Sequence, residues 1–326
     1  MARRDDSARA ERSRRSQSPP LSPDDDAGAA ARRVLAVWLG AFDHEVSGAC
    51  EGDVEAIHQL RVAMRRLRAT LALFEPVLPA GVVASLTEDL AWLGRGVGGV
   101  RDLDVLAIAI GALERSLDDD ARAALGGLEH ALAERRAVAL VEMGRLLDMP
   151  RTQRLRVRLG QLARPRARVH PAARLGDVAG DLLRPLLTAA RRAGRDLDPD
   201  TPPVAFHRLR VRVKRLRYGC ETLDSLAPKA IRPLVARLVR LQDALGEHQD
   251  AMTHAAWLRA TAASAQLRPA TLLAMGALVD RLERRAAKRR ARMGGLWERF
   301  DRRRPRERLL ESLRGLGSRP TGRTEG

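Results

Sequence analysis

Residues 57–68 read "IHQLRVAMRRLR", and 149 residues further on, at 206–217, the chain reads "FHRLRVRVKRLR". Each stretch places one histidine ahead of three cations at matching offsets: His58 with Arg61, Arg65 and Arg68, and His207 with Arg210, Lys214 and Arg217. On a helix that turns about 100° per residue, these positions share one sector along about 15 Å of axis. Such a row offers anion binding. Guanidinium forks can take successive phosphate or carboxylate groups bidentately, and imidazole adds a hydrogen-bond donor. Arg66 and Arg215 fall outside the sector and point toward solvent or another groove.

The sector beside each row is apolar. Ile57, Leu60, Met64, Leu67, Leu71 and Phe74 form it in the first copy, and Phe206, Leu209, Val213, Leu216, Cys220 and Leu223 in the second. Each helix can therefore pack through one face and hold cations at the edge of the buried layer. Helix-start signals, Asp53 in one copy and Thr201-Pro202 in the other, put both histidines near helix N-termini. The positive end of the dipole favours anions and disfavours imidazolium, so both histidines are expected to act mainly as hydrogen-bond donors.

The elements that must position these rows are helical. From Ala29 onward Ala, Leu, Arg and Glu recur at helical spacing, without β-branched alternation, so the fold class is all-α. Breaks are expected near Gly48–Asp53, Pro76–Gly81, Gly94–Gly99, Asp118–Asp120, Pro165–Pro171, Asp198–Pro203, Pro228 and Pro269. "ERRA" at 134–137 recurs at 283–286, again offset by 149. Between the motifs, "LGRGVGGVRD" (93–102) falls on "LQDALGEHQD" (241–250) at an offset of 148, matching at Leu93/Leu241, Gly98/Gly246 and Asp102/Asp250. Three blocks in the same order predict two copies of one helical unit, about 34–162 and 178–316, joined by a linker at about 163–177. Residues 1–28 read as a disordered polar tail, and residues 317–326 as a flexible C-terminal one.

With 45% apolar residues among 326, the chain can bury a substantial core. Its formal net charge of +18, from 59 Lys and Arg against 41 Asp and Glu, points to a polyanionic partner. Cys50 and Cys220 lie far apart with no metal or disulfide spacing, which favours a reducing cytoplasm. No apolar run is long enough to span a bilayer.

The pattern His-x-x-Arg-Val-x-x-Arg-Arg-Leu-Arg, present as "HQLRVAMRRLR" and "HRLRVRVKRLRYGCE", resembles the CHAD domain, the conserved histidine α-helical domain. "GVRDLDVL" and "LGEHQDAM" are similar to that family's second, Asp-containing block, and the resemblance covers about residues 30–316. It implies a CHAD unit over residues 29–316: two four-helix bundles related by a pseudo-twofold axis. Their basic surfaces would converge on a central cleft or pore that binds inorganic polyphosphate without catalysis, cofactor or metal, in the cytoplasm or at polyphosphate granules. Members are often fused to a triphosphate-tunnel catalytic domain, whose Glu-x-Glu-x-Lys strand is missing here, so the chain resembles a stand-alone member. Gln249 departs from the family's usual Asn. By the two-copy symmetry His58, Arg61, Arg65 and Arg68 would line one half of the site, and His207, Arg210, Lys214 and Arg217 the other. Arg66, Arg101, Arg135, Arg136, Arg215, Arg284, Arg285 and Lys288 are candidates for an outer wall. Asp102 and Asp250 would hold arginines in place, since a carboxylate facing phosphate repels it.

Two other functions fit parts of the sequence. A nucleic-acid binder would share the charge, but four Trp, four Phe and one Tyr leave little for base stacking. A metal-dependent phosphohydrolase could use Glu247, Asp250 and His254, which share a helical face, yet the first copy has Gly99, Asp102 and Leu106 there. The arginine-rich segments 152–169 and 281–293 could rest on an acidic membrane, but their charges are spread around the helix.

Overall fold

The computed structural model describes residues 18–317 apart from 116, 166–172, 196, 198–200 and 265–266. The described residues contain helices and no strand. The first half comprises α1 (Ala27–Cys50), α2 (Val54–Leu73), α3 (Ala80–Glu114), the short α4 (Asp119–Ala123), α5 (Gly126–Asp148) and α6 (Pro150–Ala163). The second comprises α7 (Leu175–Gly194), α8 (Pro203–Thr222), α9 (Pro228–Ser264), α10 (Pro269–Phe300) and α11 (Arg303–Arg314). The order repeats: α2 and α8 both have 20 residues, and each is followed by the longest helix of its half, of 35 and 37 residues.

Local chemistry sets the helix starts. Asp26, Asp53 and Asp118 cap α1, α2 and α4 by accepting backbone N–H bonds from Ala29, Ala56 and Ala121. Pro150, Pro203, Pro228 and Pro269 each occupy a first helical position, where the missing N–H costs nothing.

The expected break at Gly94–Gly99 does not occur, because α3 runs through it without interruption. Two of these glycines serve close approach. A Cβ on Gly96 would lie 2.1 Å from Leu146 Cδ1, and one on Gly98 would lie 2.7 Å from Arg61 Nη1. The N-terminal tail also begins to fold earlier than its composition predicts. Leu21 enters the core, its backbone N–H donates to Ser225 Oγ at 2.8 Å, and the Ala27 N–H donates to the Ala173 carbonyl at 2.9 Å. A single leucine and a few backbone bonds anchor residues that look polar on average. Residues 1–17 of that tail and 318–326 of the other lie outside the described residues.

The apolar sectors predicted for α2 and α8 are buried without exception. The core they join is divided by level rather than by half. The larger cluster unites α1, α2, α6, α7, α8 and α11 with the early parts of α3 and α9, ending at Val100 and Leu245, and with the C-terminal parts of α5 and α10 through Met143, Leu147, Met293 and Phe300. The smaller one begins at Leu106 and Ala251 and joins the far parts of α3 and α9 to the N-terminal and middle parts of α5 and α10. Residues 101–105 and 246–250, which include Asp102 and Asp250 from the end of the second repeated block, lie between the two levels. Their carbon-poor layer is where polar groups can collect between two dry regions.

Arginines also act as internal ties. Arg66 of α2 stacks at 5.1 Å on Trp38 and 4.4 Å on Tyr218 while pairing with Glu221 at 2.5 Å. Arg191 and Arg306 share Asp301, and Arg151 and Arg158 share Asp89. Arg66→Ala should lower unfolding free energy by about 2 kcal/mol, through lost stacking and a partly buried ion pair. Arg284→Ala, which loses an exposed pair with Asp280, should change it by less than about 0.5 kcal/mol. Urea unfolding of the two variants checks the contrast.

Candidate functional site

α2 and α8 pack against one another, so both basic rows arrive at one place. His58 and His207 are each the fifth residue of their helix, just beyond its N-terminus. With the polar layers of α3 and α9 they enclose a cleft of about 340 Å³. Its walls include His58, Arg61 and Arg65 from α2, His207 and Arg210 from α8, and Arg101 and Asp102 from α3. From α9 come Gln249, Asp250, Thr253 and His254. Gln249, the departure from the family's usual residue, therefore lies on the cleft itself.

The two aspartates orient the innermost arginines. Arg61 Nη2 donates to Asp102 Oδ1 at 3.3 Å, and Arg210 lies 3.7 Å from Asp250. Both contacts are longer than the 2.7–2.9 Å typical of charge-assisted bonds, so they steer the guanidiniums without saturating them. Arg61 Nη1, Arg68 Nε and Arg210 Nε are buried with no acceptor among the described protein atoms. A buried donor without a partner is costly, and a ligand oxygen would remove that cost.

The electrostatics point the same way. Burial, then the nearby Arg65 charge, pushes the Arg61 guanidinium down to about 10. Arg210 is lowered by burial, partly opposed by Asp250. Lys214 falls to about 7 through burial, then through Arg210 and Arg65. Burial and Arg101 lower His58, which keeps its imidazole neutral near pH 7. Burial also lowers His254, against the pull of Asp250 and Asp102. Burial is the largest cause for every one of these groups, and neighbouring arginines add to it at Arg61, Lys214 and His58.

The two rows do not stay equivalent along their length. Arg68 is lowered by burial and by Arg95 and Arg65, and Arg215 by burial and by Arg212 and Arg68. These four arginines, 68, 95, 212 and 215, extend the positive region beyond Arg65. Arg217, the repeat partner of Arg68, turns instead to Glu221 at 3.3 Å and lies over Tyr218 at 5.0 Å. Glu221 thus collects Arg66 and Arg217. The repeat of Arg66, namely Arg215, remains with the cationic group.

Among the outer-wall candidates, Arg101 lines the cleft. Arg135 stacks at 5.3 Å on Trp257. Arg136 donates to Asp104 at 2.6 Å and to the Gly52 carbonyl at 2.9 Å. Arg284 pairs with Asp280, Arg285 with Glu247, and Lys288 is exposed on α10. Glu247 is engaged by Arg285 and Arg289, apart from Asp250 and His254, and no group of three metal-ligating side chains occurs among the described residues. Cys50 and Cys220 are both free, the latter buried. No helix among the described residues is long and apolar enough to cross a membrane.

Arg95, Arg212, Thr253 and the cleft-facing role of His254 were not legible in the repeat. Arg95 and Arg212 have no arginine at the corresponding offset. His254 had a signal, its position one turn beyond Asp250 on the same helical face.

A duplicated all-helical unit whose two basic helices meet over an aspartate-braced cleft defines the class of protein. The CHAD domain family matches residues 29–259, and the chain belongs to that family. Its fold is similar to that of PptA from Streptomyces chartreusis, with a TM-score of 0.68 at 22% identity, covering 84% of this chain and 100% of that one. It is also similar to the crystal structure of the CHAD domain from the plant Ricinus communis. There the TM-score is 0.68 at 26% identity, covering 86% of this chain and 95% of that one. No curated protein matches.

The paired glycines allow a test of the geometry. Gly98→Ala would put a methyl 2.7 Å from Arg61 Nη1, whereas Gly246→Ala would sit 3.9 Å from Arg210 Nε. Gly246→Ala should raise unfolding free energy by about 0.5–1 kcal/mol through helix propensity, and Gly98→Ala should gain less, because the Arg61 guanidinium must shift to admit the methyl. Urea unfolding of both variants measures this.

Proposed function

We propose that the protein binds inorganic polyphosphate in the cleft between α2 and α8, without transforming it. The observation that carries this reading is that Arg61 and Arg210, one from each half, line the same cleft and each keeps a buried guanidinium N–H without a protein acceptor. A chain with about one negative charge per phosphate would supply oxygens at short intervals, and the rows on α2 and α8 offer donors along about 15 Å. Asp102 and Asp250 stand on the cleft wall beside Arg61 and Arg210, so phosphate would meet the guanidinium edges turned away from these carboxylates, and neutral His58 adds a donor. Arg68, Arg95, Arg212 and Arg215 continue the positive path for a longer polymer. Association with polyphosphate granules in the cytoplasm follows from this reading.

The placement of the aromatic residues favours polyphosphate over nucleic acid. Trp38, Phe42, Phe74, Phe206 and Tyr218 are buried, and no aromatic ring other than histidine lines the cleft. Base stacking would have little to rest on, while a ligand made only of phosphates needs none.

Replacing Arg61, Arg65, Arg210 and Lys214 with Ala together should abolish polyphosphate binding while the circular dichroism spectrum remains helical. Binding by the natural protein should fall ~10³-fold or more between 50 and 200 mM salt if six or more phosphates are engaged. Undiminished binding by the folded quadruple variant, or preference for duplex DNA in competition at fixed salt, would overturn the assignment.

A further inference from the structure

We infer that the groove between α3 and α5 is a binding site for an organic cation with a slender apolar body, a primary alkylammonium, whose charged end lies by Glu114 and Glu129. The inference is independent of the polyphosphate reading, because the groove shares no residue with the basic cleft.

The groove encloses about 300 Å³. Leu103, Ala107 and Ile110 of α3 and Leu132 and Ala133 of α5 form its apolar walls. The two helices run antiparallel, since Arg136 meets Asp104 at 2.6 Å at one end and Glu129 stands beside Glu114 at the other. From Leu103 to Glu114 the lining follows about 16 Å of the α3 axis. Both carboxylates therefore sit together at one end of a narrow apolar trough.

The two halves differ at this place. At the offsets of 148 and 149 that relate them, Gly111 and Ala133 correspond to Arg259 and Leu282, and Glu114 and Glu129 to Ala262 and Leu278. Leu278 and Leu282 are buried in the smaller core cluster, and Arg259 pairs with Glu283 at 2.6 Å. The second half thus fills the position with leucine. The first leaves it hollow and places acid at its end.

The carboxylates identify the ligand. Glu114 Oε1 is buried with no hydrogen-bond partner, and Glu129 makes no ion pair among the described residues. The arginines at hand are committed elsewhere. Arg136 donates to Asp104 and to the Gly52 carbonyl, and Arg122 donates to Asp119 and to the Glu114 and Leu117 carbonyls. Burial, with Glu129 beside it, raises the proton affinity of Glu114. An ammonium would supply the missing charge and N–H donors together, while its alkyl chain covered the trough. A bare metal ion would leave the apolar walls unused, and a neutral apolar molecule would leave the carboxylates unpaired.

Titration calorimetry with hexylammonium should show one site per chain. Hexanol, which has the same body without the charge, should bind about tenfold more weakly or worse. Each methylene removed from the amine should weaken binding about fourfold. Glu114→Gln keeps the side-chain shape and relieves repulsion with Glu129, so it should fold and bind hexylammonium about tenfold more weakly. Gly111→Leu should fill the trough and abolish binding while the circular dichroism spectrum stays helical, since a Cβ at Gly111 meets no atom within 4 Å. Hexanol binding as tightly as hexylammonium would overturn the assignment, as would undiminished binding in either folded variant or no binding of hexylammonium at millimolar concentration. If Gly111→Leu does not fold, Glu114→Gln and the hexanol comparison decide.

Discussion

The contact between α2 and α8 brings like charges together. Their apolar sectors must meet to close the larger core, and the cations beside those sectors are carried into the same space. Two unit charges 4 Å apart repel by about 4 kcal/mol at an effective dielectric near 20. A contact of this kind persists only if burial elsewhere outweighs it. The dry clusters on either side of the polar layer supply that burial, since a fully buried Leu or Phe contributes roughly 1.5–3 kcal/mol. The cleft is therefore a gap rich in positive charge, braced by two aspartates and clamped between two apolar levels. Its lowered guanidinium, amine and imidazole affinities for protons are one consequence of that clamp.

The same residue type serves opposite ends depending on what stands opposite it. Arg61 and Arg210 meet an aspartate at a distance that orients them and leaves donors free. Arg66 and Arg217 meet Glu221 together with Trp38 or Tyr218 and become part of the scaffold. Glu221 has Ala72 as its repeat partner, so a single acidic residue breaks the equivalence of the two rows. It removes Arg217 from the cationic path and leaves Arg68 and Arg215 in it. Duplication supplied two similar helices, and divergence at this one site assigned their arginines to different work.

The all-helical fold, the core faces of α2 and α8, and their capping at Asp53 and beyond Thr201-Pro202 were legible because each depends on neighbours within one or two turns. The gathering of His58, Arg61, Arg65 and Arg210 was expected from the resemblance to the CHAD domain, with the repeat supplying the two rows, whereas the place of Asp102 and Asp250 on the cleft wall itself was not. The continuity of α3 through four glycines was not. Glycine is read as a breaker from local propensity, while Gly96 and Gly98 are held by what packs against them from α5 and α2. The ordering of residues 18–28 was hidden for a similar reason, because Leu21 finds its hydrogen-bond partner in Ser225, 204 positions away.

Sequence alone determined which residues face the core and which form the basic rows, because helical phase is fixed by spacing along the chain. Tertiary structure decided which arginines remain free. The pairing of Arg66 with Glu221, of Arg61 with Asp102 and of Arg210 with Asp250 all depend on contacts between different helices. Those contacts set local dielectric and counter-charge, and no periodicity within a single segment encodes either.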